Sequence, residues 1–277
     1  MNPSPIEKKN LIRSFFFSLT IIFLIVIFQI QDKQTRIVFC NVGQGDATYI
    51  RIKNRVDVVI DAGPNRSILN CLGKYMPFWD HKIELAFLSH HDKDHYGGFF
   101  NIIDRYKIAK FLTIDYSFDS QTYKRLKNKL DVKKIFYQNL VAGDKVVVLN
   151  DSFRIYWPSS YFKSYQGNDY SLIFIFQENN FRALFTGDAS PSVLNRLSDK
   201  SLTKVDVLKI PHHGSKNGLT ETFLELADPK VAVISVGKNN SYGHPNKEVL
   251  DLLEAKKIKI KRTDKDGNVI FNLKVFP

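Results

Sequence analysis

At 277 residues, 44% of them hydrophobic, the chain is long enough for a large packed domain and too apolar for disorder to be the expectation. Forty Lys and Arg against 28 Asp and Glu leave a formal charge of +12, which favours polyanions such as nucleic acid, teichoic acid or anionic lipid; a merely solvated, lysine-rich surface gives the same sum. Two cysteines exclude a disulfide scaffold or a Cys-based zinc module: Cys40, in the run IVFC, reads as a small core residue, and Cys71 carries no assignment.

The first element is LIRSFFFSLTIIFLIVIFQI, whose uncharged core from Ser14 to Gln31 suffices for a helix across roughly 30 Å of hydrocarbon at about 1.5 Å per residue. Lys8, Lys9 and Arg13 precede it, which holds the amino end in the cytoplasm; Lys33 and Arg36 behind it weaken that bias. A cleaved signal peptide is the competitor, but FQIQDKQ offers no small-residue cleavage site. A buried soluble helix is disfavoured because no polar face interrupts the run. The expectation is a single-pass anchor over residues 1–34 and one extracytoplasmic domain over 35–277.

From Thr35 onward, short β-branched and aromatic runs alternate with Gly, Asn and Asp, the pattern of strands and turns. RIVFCNV, ATYIRI, VDVVIDAG and IELAFLSH read as strands of a first half. Helices follow near Gly97 to Tyr106 and Ser120 to Leu130, the latter with Tyr123, Leu126 and Leu130 on one face. A second strand-rich stretch runs through KVVVL, FRIYWP, SLIFIFQ, RALFTGD, VDVLKIP, VAVISVG, IKIKRT and VIFNLKV. Helices near Pro191 to Leu197, Thr220 to Leu226 and Lys247 to Ala255 separate its later members. Two β-rich halves with interspersed helices suit two sheets packed face to face with helices outside, an α/β architecture. No sequence repeat stands out.

Chemistry concentrates after the apolar strand LAFLS. His90, Asp92, Asp94 and His95 fall within six residues, closed by Gly97 and Gly98, which allow tight backbone passage. Imidazoles mixed with carboxylates suit zinc or manganese; a solvated polar turn is the plain alternative, improbable at this spacing. Three further groups follow apolar runs: Asp188 in LFTGD, His212 and His213 in KIPHHGS, and His244 in a Gly/Pro turn. A lone histidine is more often structural, yet these clusters hold every histidine but His81, which is assigned a surface role.

With these motifs in hand, the chain resembles the metallo-β-lactamase superfamily, specifically the hydrolase domain of ComEC-type competence proteins. The match runs from about Arg36 to the carboxyl end. It rests on NVGQGDA (Asn41 to Ala47), VVIDAG (Val58 to Gly63), LSHHDKDHYGG (Leu88 to Gly98), NDYSL (Asn168 to Leu172), LFTGDAS (Leu184 to Ser190), LKIPHHGSKNG (Leu208 to Gly218), YGHP (Tyr242 to Pro245) and RTDKDG (Arg262 to Gly267). The resemblance implies a four-layer αββα sandwich over 35–277 and two divalent metal ions, zinc or manganese. Their ligands would be His90, Asp92, Asp94, His95, Asp188 and His213, with Asp188 bridging, although which of His212 and His213 faces the metal is left open.

Asp92 replaces a histidine of the commoner H-x-H-x-D-H loop, enriching one site in oxygen. Asn41 stands where an Asp is usual, and a third histidine for the first ion is missing, Asn168 or Asp169 being nearest. The reaction implied is phosphodiester hydrolysis, with Asp94 and Asp188 holding the nucleophile and His212 or His244 stabilising phosphoryl charge or protonating the leaving oxygen. DNA is the expected substrate, in a nuclease role connected with DNA uptake. The rivals are an envelope phosphodiesterase acting on phosphocholine or teichoic-acid esters, and a non-catalytic DNA-binding component of an uptake system. One span cannot form a transport pore.

Overall fold

The computed structural model of the chain describes residues 5–31, 33–115, 120–164, 166–197, 202 and 204–273. Fourteen strands fall into two seven-stranded sheets. In chain order they are β1 (Thr35–Phe39), β2 (Ala47–Ile52), β3 (Val56–Ala62), β4 (Lys82–Phe87), β5 (Lys107–Thr113), β6 (Phe136–Asn139), β7 (Lys145–Val148), β8 (Asp151–Trp157), β9 (Ile173–Glu178), β10 (Phe181–Phe185), β11 (Val207–Lys209), β12 (Val231–Ile234), β13 (Lys259–Arg262) and β14 (Val269–Leu273). The first sheet runs β14-β1-β2-β3-β4-β5-β6 and the second β13-β12-β11-β10-β9-β8-β7.

Counted from β14 in one sheet and from β7 in the other, both show three antiparallel pairings followed by three parallel ones. The two halves therefore share a topology that their sequences do not advertise. The last strand crosses over to complete the first sheet.

Alternation along each strand builds three cores. On β1, Ile37 and Phe39 face the second sheet while Val38, followed by Cys40, faces outward under helices, and all four are buried. The inter-sheet core is rich in phenylalanine: Phe87 stacks on Phe174 at 5.1 Å, and Phe174 on Phe185 at 5.2 Å. Helices Ile68–Tyr75, Phe99–Arg105 and Gln121–Val132 cover the first sheet; Glu221–Ala227 and Lys247–Ala255 cover the second. The result is the expected αββα layering. It explains why strands read as continuous apolar runs: both faces are buried.

Sequence reading missed β5, β6 and the helix Ile68–Tyr75. KIAKFLT alternates weakly, and FYQN is a largely exposed edge strand. The end of the predicted VIFNLKV strand, Lys274 and Val275, lies outside the described residues.

Two expectations about the rest of the chain change. Cys40 and Cys71 are joined in a disulfide, Cα to Cα 5.9 Å, so Cys40 is a bridged residue as well as a buried one, and Cys71 now has a role. The pairing was invisible because it depends on Ile68–Tyr75 packing across β1. Closing a loop of this length contributes about 3.7 kcal/mol. The amino-terminal segment is a helix, Pro5–Gln31, with its described side chains exposed from Lys9 to Ile21 and at Phe23, so it is no core helix. Among the described residues no helix is long and apolar enough to cross a membrane.

Candidate metal centre

One edge of the sandwich collects the ends of β1, β3, β4, β10, β11 and β12, and every candidate site residue sits on the loops and short helical turns that leave them. Tight backbone approach assembles the edge. A Cβ on Gly45 would stand 2.3 Å from the Asp94 carbonyl oxygen, and one on Gly98 2.0 Å from that of Ala62. Gly98, expected with Gly97 to permit close passage, is thus needed sterically, and Gly45, which carried no such expectation, is needed in the same way. Gln44 accepts from the Gly237 amide across the two halves at 3.1 Å, and Asn41 turns back to accept from Gly43.

At the centre, ligand-type atoms of Asp94, His95, Asp188 and His213 all lie within 4.8 Å of one another. Asp188 is the hinge: Oδ1 is 3.3 Å from His95 Nε2 and Oδ2 is 3.4 Å from His213 Nε2. Asp94 Oδ2 is 3.3 Å from His213 Nε2. His90 lies beside them, its ring centroid 4.1 Å from that of His95, and its Nε2 is 3.4 Å from Oδ2 of the half-exposed Asp92. His212 Nε2 is farther out, 3.8 Å from Asp188 Oδ2, and His244 follows at 5.9 Å between ring centroids. Burial and direction set the adjacent histidines apart: His213 is buried within the cluster, whereas His212 is partly exposed at its rim.

Backbone conformation enforces this split. His212 and His213 both adopt left-handed φ, 50° and 54°, in the turn ahead of Gly214. Such conformations cost of order 1–3 kcal/mol each and persist where surrounding structure fixes them. Asp61, φ 52°, is a third instance at the same edge.

The sequence reading named the ligand candidates but not their supports. Asp61 accepts from the Ser89 amide at 2.7 Å and the Ser89 hydroxyl at 2.7 Å, and lies 2.9 Å from His95 Nδ1. His213 Nδ1 is 2.9 Å from the Ser235 carbonyl oxygen and 3.3 Å from Asp46 Oδ1. Each inner nitrogen is fixed so that the opposite nitrogen faces the cluster, the support that histidine ligands of metals ordinarily have. The signals for Asp46 and Asp61 were a carboxylate beside glycine at a strand end, in GQGDA and VVIDAG. Asp169 is not a spare ligand, since its two oxygens accept from Ser190 at 2.5 Å and Ser164 at 2.6 Å. His91, outside the cluster, stacks on Tyr123 at 3.6 Å.

The residues fit divalent ions on one observation. His90 Nε2, His95 Nε2, His213 Nε2 and Asp188 Oδ1 are buried without a hydrogen-bond partner, and such atoms are costly unless something else satisfies them. Electrostatics agrees. Burial would push Asp188 and Asp94 up, but His213 and His95 overcome it, holding Asp188 well below and Asp94 below the ordinary carboxylate range. Burial would push His95 and His213 down, yet Asp188 with Asp61 or Asp46 raises both well above the usual imidazole range. The cluster demands positive charge, from protons or from metal. Burial lowers His212 and His244 instead, leaving neutral imidazoles at the rim.

Comparison with known proteins gives a consistent picture. The profile of the metallo-beta-lactamase superfamily matches residues 40–238. Among curated relatives, the chain is 28% identical over 277 aligned residues to ComE operon protein 3 of Bacillus subtilis, covering 92% of this chain and 35% of that protein. It is 27% identical to Recombination protein 2 of Haemophilus influenzae, covering 96% and 32%. The chain thus spans about a third of the length of these ComEC-type competence proteins. Among solved structures, the metallo-beta-lactamase fold protein YhfI from Bacillus subtilis superposes with a TM-score of 0.60 at 11% identity, covering 87% of this chain and all of that one. CmlA, a diiron β-hydroxylase from Streptomyces venezuelae, superposes with a TM-score of 0.59 at 11% identity over 87% of this chain and 54% of that one. The fold therefore does not by itself choose the reaction.

Proposed function

Because the chain belongs to the metallo-β-lactamase superfamily, we propose that it is a metal-dependent phosphodiesterase that cleaves DNA. The observation that carries the reading is the convergence of the partnerless His95 and His213 nitrogens on Asp188, with the equally partnerless His90 Nε2 beside them. The +12 charge and relatives named for competence and recombination support a nucleic-acid substrate over a small neutral one.

His90, Asp92 and Asp188 would hold one ion, and Asp94, His95, His213 and Asp188 the other. When bound, such ions supply Lewis acidity toward a phosphoryl oxygen and an acidified water. The remaining steps belong to the chain. Asp188, whose two oxygens face His95 and His213, would contribute to holding both ions. Asp61 and Ser235 keep His95 and His213 in one tautomer and orientation. His212 and His244, kept neutral by burial, donate N–H bonds to the phosphoryl and leaving oxygens. Their lowered pKa favours that role over full proton donation. Asn240 braces the His244 loop, accepting from its amide at 3.0 Å and donating to its carbonyl at 2.7 Å.

We propose that the domain lies outside a membrane, anchored by the apolar sequence from Ser14 to Gln31, whose side chains the structure describes only in part. The basic residues ahead of the apolar run and the Cys40–Cys71 bridge support this, since disulfides persist in oxidising compartments. β1 is parallel to β3 and β4, so the chain enters the domain at the sheet edge opposite the metal centre, turning the chemistry away from the bilayer. A chain that leaves the membrane fraction in alkaline carbonate overturns the anchor.

The reaction is tested with the purified full-length chain, labelled single- and double-stranded DNA, and a bis-aryl phosphodiester, with manganese or zinc. Cleavage of both substrates is expected, with only the DNA rate falling steeply in salt. Asp94→Ala should abolish cleavage with the fold intact. Cleavage of the diester alone transfers the reading to an envelope ester. Absence of bound metal under every condition favours a DNA-binding component instead.

A further inference from the structure

Lys209 plays no part in the steps above, yet it is a buried cation of the site. It ends β11 and is 3% exposed, although lysine is almost never fully buried unless paired. Its ammonium contacts the Asp46 carboxylate, donates to the Gly187 carbonyl oxygen at 3.0 Å and lies 3.7 Å from Asp188 Oδ1. Asp46 and Asp188 together overcome burial and keep the amine charged.

Beside it lies a second group able to hold an ion: Asp46, Asp61 and His95 bring ligand-type atoms within 4.8 Å of one another. Lys209, Asp46 and Asp61, with Thr48 and Ser89, line a cavity of only about 10 Å³, barely the room of one water. Four carboxylates, Asp46, Asp61, Asp94 and Asp188, therefore converge on this edge with a single fixed ammonium among them. The ammonium touches the groups that aim the outer ligands. Asp46 leans on His213 Nδ1, and Gly187 precedes Asp188 in a left-handed turn, φ 50°.

We propose that Lys209 is a built-in cation occupying an inner site between Asp46 and the Gly187–Asp188 turn, where it excludes a further metal ion and holds Asp188 and His213 in position. It is a positioning residue. The assignment rests on the metal-binding reading for what Asp188 and His213 do, but the charge pairing of Lys209 with Asp46 stands apart from it and is read separately.

The test uses the full-length chain as Lys209→Met, Lys209→Ala and the double variant Lys209→Met with Asp46→Asn. Stranding Asp46 should lower the melting temperature of Lys209→Met by roughly 10 °C. Adding Asp46→Asn should recover most of that loss, because both charges are then gone. Lys209→Ala should be stabilised by ammonium or methylammonium chloride, but not by choline chloride at equal ionic strength, and should take up one more Mn(II) per chain than the unaltered protein. Loss of stability that Asp46→Asn fails to recover, with Mn(II) uptake unchanged in Lys209→Ala and no ammonium response, overturns the proposal. Should neither single variant fold, the double variant decides: a folded protein supports the pairing, and an unfolded one overturns it. An unaltered protein that binds neither Mn(II) nor Zn(II) would defeat the functional reading while leaving the Asp46 rescue to stand or fall alone.

Discussion

The strand β3 carries a buried aspartate near each end, and the two have opposite fates. Asp57, at the edge where the chain enters, accepts from the Tyr49 hydroxyl at 2.5 Å and from Arg51 Nη1 at 2.5 Å, and Arg51 reaches on to Asp80 at 3.2 Å. Burial pushes Asp57 up to about 6 against Tyr49 and Arg51, so it is ionised at neutral pH opposite a guanidinium that keeps its proton. Among the described residues, no buried polar atom of that group is left without a partner. Asp61, at the other end, is equally satisfied by Ser89 and His95, but His95 then presents Nε2 to an open cluster and leaves it unpartnered. A structural ion pair closes on itself; a ligand site passes its unmet valence inward until something from outside completes it.

The hardest way to break that contrast is to remove the atom both halves of the centre share. Asp188→Asn should eliminate bound metal and reduce hydrolysis to background, while the metal-free protein keeps its far-ultraviolet circular dichroism but loses, near neutral pH, the stability that Asp188 lends by pairing with His95 and His213. Elemental analysis beside the rate measurement checks it, and a variant with a full metal complement would show that Asp188 does not bridge. At the closed end the expectation inverts. Asp57→Ala strands Arg51 and should cost about 3–5 kcal/mol in urea unfolding, with metal content per folded chain unchanged.

This contrast also marks what the sequence could disclose. His90, Asp92, Asp94, His95, Asp188, His213 and the rim histidines were legible because imidazoles and carboxylates after apolar runs are improbable without a task. The layers were legible because both-face burial leaves apolar runs. Asp61 and Lys209 were harder: an acid or a lysine bordering a hydrophobic strand looks like any strand end until the opposite sheet arrives beside it. The Cys40–Cys71 bridge, the crossing of β14 and the left-handed turn at His212 and His213 are likewise products of tertiary packing. Edge strand β6 escaped because exposed strands lose the alternation that betrays them.

A subtler change sharpens the comparison from the support side. Asp61→Asn keeps an acceptor for Ser89 but removes the charge behind His95. Metal affinity should fall roughly 10- to 100-fold, with the fold and the Asp57 group untouched. Isothermal titration with Mn(II) on the variant checks this; unchanged affinity would reduce Asp61 to a loop brace.

The smallest effect separates the two ends by pH alone. In the metal-free protein, His95 and His213 are raised well above the ordinary imidazole value by Asp188, Asp61 and Asp46. Their contribution to stability is complete below about pH 6.5 and is lost as the pH rises through the folded-state values, at up to about 1.4 kcal/mol per pH unit for each histidine. Asp188 and Asp94, held low, act in the other direction: their contribution is present above about pH 4 and is lost as the pH falls toward their folded-state values. Asp57, raised to about 6, falls in a separate window, its cost appearing between the ordinary carboxylate range and pH 6. Above pH 6.5 the stability slope therefore belongs to the open end. Urea midpoints of metal-free protein should decline through alkaline pH, and Mn(II) should flatten or reverse the decline by replacing the protons as the source of positive charge. Asp57→Ala should keep that slope and Asp188→Asn should lose much of it; an alkaline slope indifferent to Mn(II) would mean that the histidine protons and the metal do not compete for the same atoms.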